Sequence, residues 1–285
     1  MHTNAAHEQS HRQHKKKKKK QPALNPAAHG KRVQVTDDDG WTHVTNSGSL
    51  AMRRAAAANK KQETLNHEAS SDSESIQIQP AEPPRRLTLP LLKRQFDDHF
   101  ATWSRSSTCE ALTAAVSAHA TPVQMDRIVC IGLGSPSGFV GGGWVDRRSV
   151  ALYQLAALRS IMDCYRRASP SRSVEVYAQD PVFNELDVQL LSSLDIAVVS
   201  HPAGFEMVDN RTFLYAPGAE RKHLEMLLAA DPPLVFGGPL EDSPSETLAG
   251  FLSKSNAVRM PEFDANGHAF WKMSLYYPYA NGSEA

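Results

Sequence analysis

Phenylalanine, tyrosine and cysteine are absent from the first 86 residues of this 285-residue chain, and large aliphatic side chains are few there. Ser, Asn, Gln, Lys and His dominate instead, with seven of the twelve histidines and an unbroken lysine run. Such a segment cannot bury enough apolar surface to offset the entropy lost on ordering, so residues 1–86 are expected to form a disordered, low-complexity basic tail. Also missing are an apolar run of ~20 residues and the shorter apolar stretch of a signal peptide, which predicts a soluble, intracellular protein. Three cysteines, Cys109, Cys130 and Cys164, lie far apart without a CxxC pair. That spacing excludes a disulfide framework and suits free thiols in a reducing compartment. No metal-ligand spacing appears beyond residue 86.

The formal net charge of zero hides two opposite parts. Residues 1–86 carry 15 Lys+Arg against 9 Asp+Glu, a net of +6, and the rest carries 16 against 22, a net of −6. A mildly acidic globular part is no general binder of nucleic acid, so nonspecific contact with phosphates falls to the tail.

Two motifs stand in that tail. Lys15, Lys16, Lys17, Lys18, Lys19 and Lys20 read either as a nuclear import signal or as a solvated tract. With the first reading the protein is expected in nucleus and cytoplasm. Trp41, in "DDDGWTHV", is the tail's only aromatic residue. One ring amid acids suits a short docking segment for a protein partner, or reflects composition alone.

Order is expected from Leu87. Leu89, Leu92, Phe96, Phe100 and Trp103 recur at helical spacing, and "STCE" supplies Ser107 and Glu110 as a capping box for a second helix ending near His119. This helical lead-in spans 87–120. From residue 126 to about 280, strands and helices alternate. Strands are read at "RIVCIG", "SVEVYA", "DIAVVS", "TFLYA", "LVFG" and "NAVRM". Helices are read near 147–168, 182–193, 220–230 and 244–254, the last with Ser243 as N-cap and Pro244 at its first position. The order predicts an α/β fold with a Rossmann-like, doubly wound, mostly parallel sheet.

The residues most suggestive of a ligand are "CIGLGSPSGFVGGG" at 130–143. Gly132, Gly134 and Gly138 give GxGxxxG at the carboxyl end of a strand, where open α/β sheets bind ligands. Thirteen residues separate this strand from its helix, too many for the standard dinucleotide turn, whose helix begins at once. One surviving variant makes "SPSG", including Ser135, a single helical turn starting at Pro136, with "FVGGGW" as a mobile flap. The other is a flexible connection without ligand. Asp180 ends the next strand, where a carboxylate often meets ribose hydroxyls, but with Pro181 behind it a helix N-cap explains it equally. Gln154 is expected to satisfy a backbone carbonyl in the core, and His223 to be exposed.

The opening strand with "GLGS", the helix "SVALYQLAAL", "VYAQDPVFNELD", "TFLYAPGAE" and the closing "AFWKMSLYYP" together resemble the sensitivity-to-red-light-reduced-like (SRR-like) domain family over about 127–278. The resemblance implies a regulatory protein without an assigned catalytic activity, linked to circadian and light signalling in plants and to regulation of haem synthesis in other eukaryotes. Two departures point to a divergent, fungal-type branch. Pro217, Gly218 and Ala219 stand where many members have Pro-His-Cys. Phe270, Trp271, Lys272, Met273 and Ser274 stand where many have Phe followed by Asn-Asp-Thr-Ser.

Two functions follow. One is a noncatalytic regulator binding protein partners. The other is a nucleotide- or S-adenosylmethionine-binding enzyme using Gly132 to Gly138 and Asp180. No general base or nucleophile is identifiable, no cofactor can be named, and Ser135 lacks the GxSxG context of a hydrolase.

Overall fold

The computed structural model describes residues 32–36, 42–46 and 79–279, except 121–122, 140–144, 169, 171–172 and 243–244. The chain divides into two units, Met1–Asp72 and Ser73–Ala285. In the first, β1 (Arg32–Thr36) and β2 (Thr42–Asn46) pair antiparallel with Arg32 opposite Asn46. Both strands are rich in Val and Thr, whose branched side chains suit a pleated ribbon. The sequence reading assigned no strand there.

In the second unit, α1 (Leu89–Trp103), α2 (Ser107–Ala115) and a π-helical turn (Val116–Ala120) lead into β3 (Arg127–Ile131). The chain continues as α3 (Arg147–Ala168), β4 (Glu175–Gln179), α4 (Glu185–Ser192), β5 (Ala197–Val198), α5 (Ala203–Glu206) and β6 (Thr212–Ala216). It closes with α6 (Arg221–Leu228), β7 (Leu234–Gly237), α7 (Glu246–Leu252), β8 (Ser255–Arg259) and β9 (Ser274–Pro278). These form a seven-stranded mixed sheet of order β5-β4-β3-β6-β7-β9-β8. The pairs from β5 to β7 are parallel, whereas β9 pairs antiparallel with both β7 and β8. The α/β architecture anticipated above is therefore present, and the winding direction reverses between β3 and β6.

Alternation along the central strands explains why both sheet faces are covered. Ile128 and Cys130 of β3, Phe213 and Tyr215 of β6, and Leu234 and Phe236 of β7 join one apolar cluster, with side chains of α1 to α4. Val129, Ile131, Leu214, Ala216 and Val235 join the other, with α6 and α7. A strand covered on both faces has no polar side to spare, hence the continuous runs "RIVCI" and "TFLYA".

Helix α3 is buried through most of its length, including Tyr153 and Gln154, because α1 and α2 pack on it from outside. Its middle stretch "ALYQLAAL" is buried at every residue and needs such enclosure. Trp103 of α1 is fully buried and donates Nε1–H to Ser160 Oγ of α3 at 2.9 Å. Burial of such a side chain contributes about 1.5–3 kcal/mol. Gln154 donates to the Ala269 carbonyl at 2.9 Å, as expected.

Several boundaries differ from the sequence reading. Helix α2 is capped by Ser106, not Ser107; the Ser106 side chain accepts from Cys109 N–H. Helix α7 starts at Glu246 behind Ser245; Ser243 and Pro244, taken as its start, lie outside the described residues. "SPSG" makes a bend and no helical turn. Strand β9 was missed because its run "SLYYP" is short and ends in proline, yet it joins β8 to the sheet. Structure also begins before Leu87: Ala81 is buried, and its N–H donates to the Val182 carbonyl at 2.8 Å.

Candidate functional site

At the carboxyl ends of the parallel strands the chain leaves β3 through two left-handed glycines, Gly132 at φ +76° and Gly134 at φ +74°. Only glycine adopts this conformation without steric cost. Space makes a second demand at Gly132, where a Cβ would lie 2.6 Å from the Ala219 nitrogen. The approach is mutual, since a Cβ on Gly218 would lie 2.4 Å from the Gly132 oxygen. The turns leaving β3 and β6, the two strands that flank the reversal point, thus touch backbone to backbone. Gly138 is equally confined, by Ala81, which precedes α1, at 2.6 Å.

The structure brings Gly132, Gly134, Ser135, Gly138 and Asp180 together, and shows what the loop's donors meet. Gly134 N–H donates to Asp180 Oδ2 at 2.8 Å, while Val182 N–H donates to Oδ1 at 3.0 Å. Asp180 is therefore no helix N-cap, and Pro181 opens no helix. The cap of α4 is Asn184, in a capping box with Asp187. Burial pushes the Asp180 carboxyl above its ordinary range; the Gly134 and Val182 amides oppose this, and nearby Asp187 adds to it.

Asp187 is the residue the sequence reading missed. It is fully buried. Its Oδ2 accepts from Ser135 Oγ at 2.6 Å and from Asn184 N–H at 3.1 Å, and its Oδ1 accepts from Ser137 N–H at 2.8 Å. Ser135 Oγ in turn accepts from Gly138 N–H at 2.8 Å. Asn184 Nδ2 donates to Ser137 Oγ at 2.8 Å and to the Ala81 carbonyl at 2.9 Å. Outside this set, Arg148 Nε donates to the Pro136 carbonyl at 2.9 Å. The spacing of "NELD", a capping Asn with an acid three residues on, was the available signal.

An anion cradle works by aiming unpaired backbone amides at a ligand. Here the amides of Gly134, Ser137 and Gly138 meet the chain's own Asp180, Asp187 and Ser135. The Ser135 hydroxyl, donating to one group and accepting from another, is similarly engaged. Of the expected flap, Phe139 to Trp144, Phe139 is bridged to Glu82, its N–H donating to the Glu82 carbonyl at 3.1 Å; Val140 to Trp144 lie outside the described residues, as do Trp41 and Lys15 to Lys20.

The remaining chemistry is dispersed. Among the described residues no group of three or more His, Cys, Asp or Glu could hold a metal ion. All three cysteines are buried, and burial pushes the Cys130 thiol well up and the Cys109 thiol up, which makes both poor nucleophiles. His119 stacks on Tyr277 with ring centroids 3.9 Å apart. A cleft of about 760 Å³ lies at the opposite, amino-terminal end of the strands, with Ile128, Met162, Tyr165, Val176 and Ile196 among its lining residues. None of the expected site residues borders it.

The Asp187 network yields a graded expectation. Asp187→Asn keeps the shape but turns an amide donor toward at least one of three donors, and leaving a buried donor unmet costs about 1–3 kcal/mol. Asp187→Ala leaves all three unmet and is expected to cost more. Urea unfolding of both proteins measures this; an Asp187→Asn protein as stable as the parent would show that the carboxylate does not hold the loop.

Comparison with known proteins bears on the same region. No curated protein matches the chain. The SRR1 domain family matches residues 93–277. The match spans most of the second unit, from α1 to β9, and includes the glycine loop, Asp180, Asn184 and Asp187. No helix among the described residues is long and apolar enough to cross a membrane. With its α/β sheet and a match covering more than half its length, the chain belongs to the SRR1 domain family.

Proposed function

We propose that this SRR1 domain protein is a noncatalytic regulator. Its α/β unit, Rossmann-like in the order of its parallel strands, acts as a binding platform for protein partners. Residues 1–86 direct localisation and docking, with Lys15 to Lys20 as a nuclear import signal and Trp41 as an anchor for a partner. Nucleus and cytoplasm are the compartments this reading assigns. The links to circadian or light signalling and to haem synthesis come from the family resemblance alone.

The observation that carries the reading is the saturation of the glycine loop. Amides that would hold a phosphate are engaged by Asp180 and Asp187, whose negative charges would repel one as well. The reversal point is also closed by the contact of Gly132 with Gly218 and Ala219. These features disfavour a nucleotide- or S-adenosylmethionine-dependent enzyme at this place in the fold.

A thermal-shift screen of the full chain against nucleoside triphosphates, NAD(P) and S-adenosylmethionine separates the two functions. A ligand present at about 100 times its dissociation constant adds about 2.7 kcal/mol to stability, which is readily seen. No shift is expected with any of them. A shift that disappears in Asp180→Ala would establish a ligand site at the glycine loop and overturn the argument from its saturation. For the tail, replacing Lys15 to Lys20 with Ala is expected to abolish nuclear accumulation of a fluorescently tagged protein; an unchanged distribution would remove the import assignment.

A further inference from the structure

A second polar cluster sits at the carboxyl end of β4, beside the glycine loop and outside its network. Gln179, the last residue of β4, is 4% exposed. Its Oε1 accepts from the buried Gly204 N–H at 2.8 Å, and its Nε2 lies 3.2 Å from His201 Nδ1. A backbone N–H can only donate, so the bond to Gly204 fixes which end of the Gln179 amide carries oxygen. The Nε2 group is then a donor toward His201, whose Nδ1 must accept. Neutral His201 therefore carries its proton on Nε2.

Neighbouring elements hold this arrangement closely. A Cβ on Gly204 would lie 2.9 Å from both Cβ and Oε1 of Gln179, so α5 packs directly on the amide. Phe205 of α5 presents its ring to two imidazoles in T-shaped contact, His201 at 5.5 Å and His223 of α6 at 5.3 Å between centroids. His223, expected to be exposed, is partly buried here. Burial holds it below the usual imidazole range; Glu220 opposes this, while Lys222 and His201 add to it. The groups facing His201 are thus Gln179 from β4, Phe205 from α5 and His223 from α6, with Glu220 and Lys222 beside His223. No carboxylate among them bonds His201 directly.

We propose that Gln179 and His201 form a proton-operated latch on the corner between β5 and α5. Protonation places an N–H on Nδ1 against the Gln179 N–H, donor facing donor. Two responses are open. Either the amide flips and leaves the Gly204 N–H without an acceptor, or His201, already exposed, turns away from Gln179 and Phe205. Only the flip loosens α5 from the end of β4, beside Gly132, and it is the response the latch requires; the turn leaves the Gly204–Gln179 bond in place. Acidification thus changes the surface next to the reversal point without touching the Asp187 network.

The full chain tests this by NMR. Long-range imidazole nitrogen spectra near neutral pH are expected to show His201 protonated at Nε2 and bare at Nδ1. On acidification from about pH 8 to about pH 5 the Gly204 amide is expected to lose about tenfold or more of its hydrogen-exchange protection after correction for intrinsic rate. In His201→Asn, whose side-chain oxygen accepts from Gln179 at every pH, that protection is expected to persist in acid. Gln179→Glu, able to accept from both Gly204 and a protonated His201, is expected to keep it too. A neutral His201 protonated at Nδ1, protection of Gly204 independent of pH in the parent, or equal acid loss in His201→Asn would each overturn the latch.

Discussion

A single buried carboxylate, Asp187, ties together the parts of this domain that sequence leaves least constrained. It takes one donor from the α4 cap, Asn184 N–H, and two from the glycine loop, the Ser135 hydroxyl and Ser137 N–H. Through the Asn184 side chain the same network reaches Ala81, ahead of α1. A carboxylate removed from water is tolerated only when its lone pairs find donors, and these donors equally need an acceptor. Each side satisfies the other. The loop after β3 is therefore held by hydrogen bonds where a dinucleotide fold would leave amides pointing at a ligand.

Packing at the reversal point follows the same logic. Gly132 and Gly218 allow the β3 and β6 turns to meet, and any side chain at Gly218 would drive into the Gly132 carbonyl. In this chain the backbone fills space that a side chain would otherwise have to find elsewhere. What remains polar and adjustable at this end of the sheet is displaced sideways, to Gln179, His201 and His223 around Phe205. Rigidity thus sits at the centre of the carboxyl edge, and titratable groups sit beside it.

The fold was legible where periodicity is strong. The runs of β3, β6 and β7, the Ala- and Leu-rich α3 and the apolar stripe of α1 all formed as read, because each is dictated by burial along its own length. Other elements were less legible. β5, read within "DIAVVS", is only two residues long, α5 has four residues and presents no repeat, and β9 pairs with strands distant in sequence. The glycine loop and Asp180 were correctly placed together at the strand ends. Their partners were not, since Asp187 and Asn184 looked like an ordinary helix start and became the loop's acceptors only through tertiary contact. Asp180 shows the same limit. Next to Pro181 it carried the signature of a cap, but the helix begins only at Glu185, behind Asn184, and the Asp180 carboxylate serves the loop.

The central claim is that the loop's amides are bound internally, and amide hydrogen exchange of the full chain reads this directly. The Gly134 and Ser137 amides are expected to exchange only through global unfolding, as slowly as the amides of the buried central strand β3. Exchange of both near the unprotected rate in the native protein would contradict the account and return the loop to the status of an open cradle.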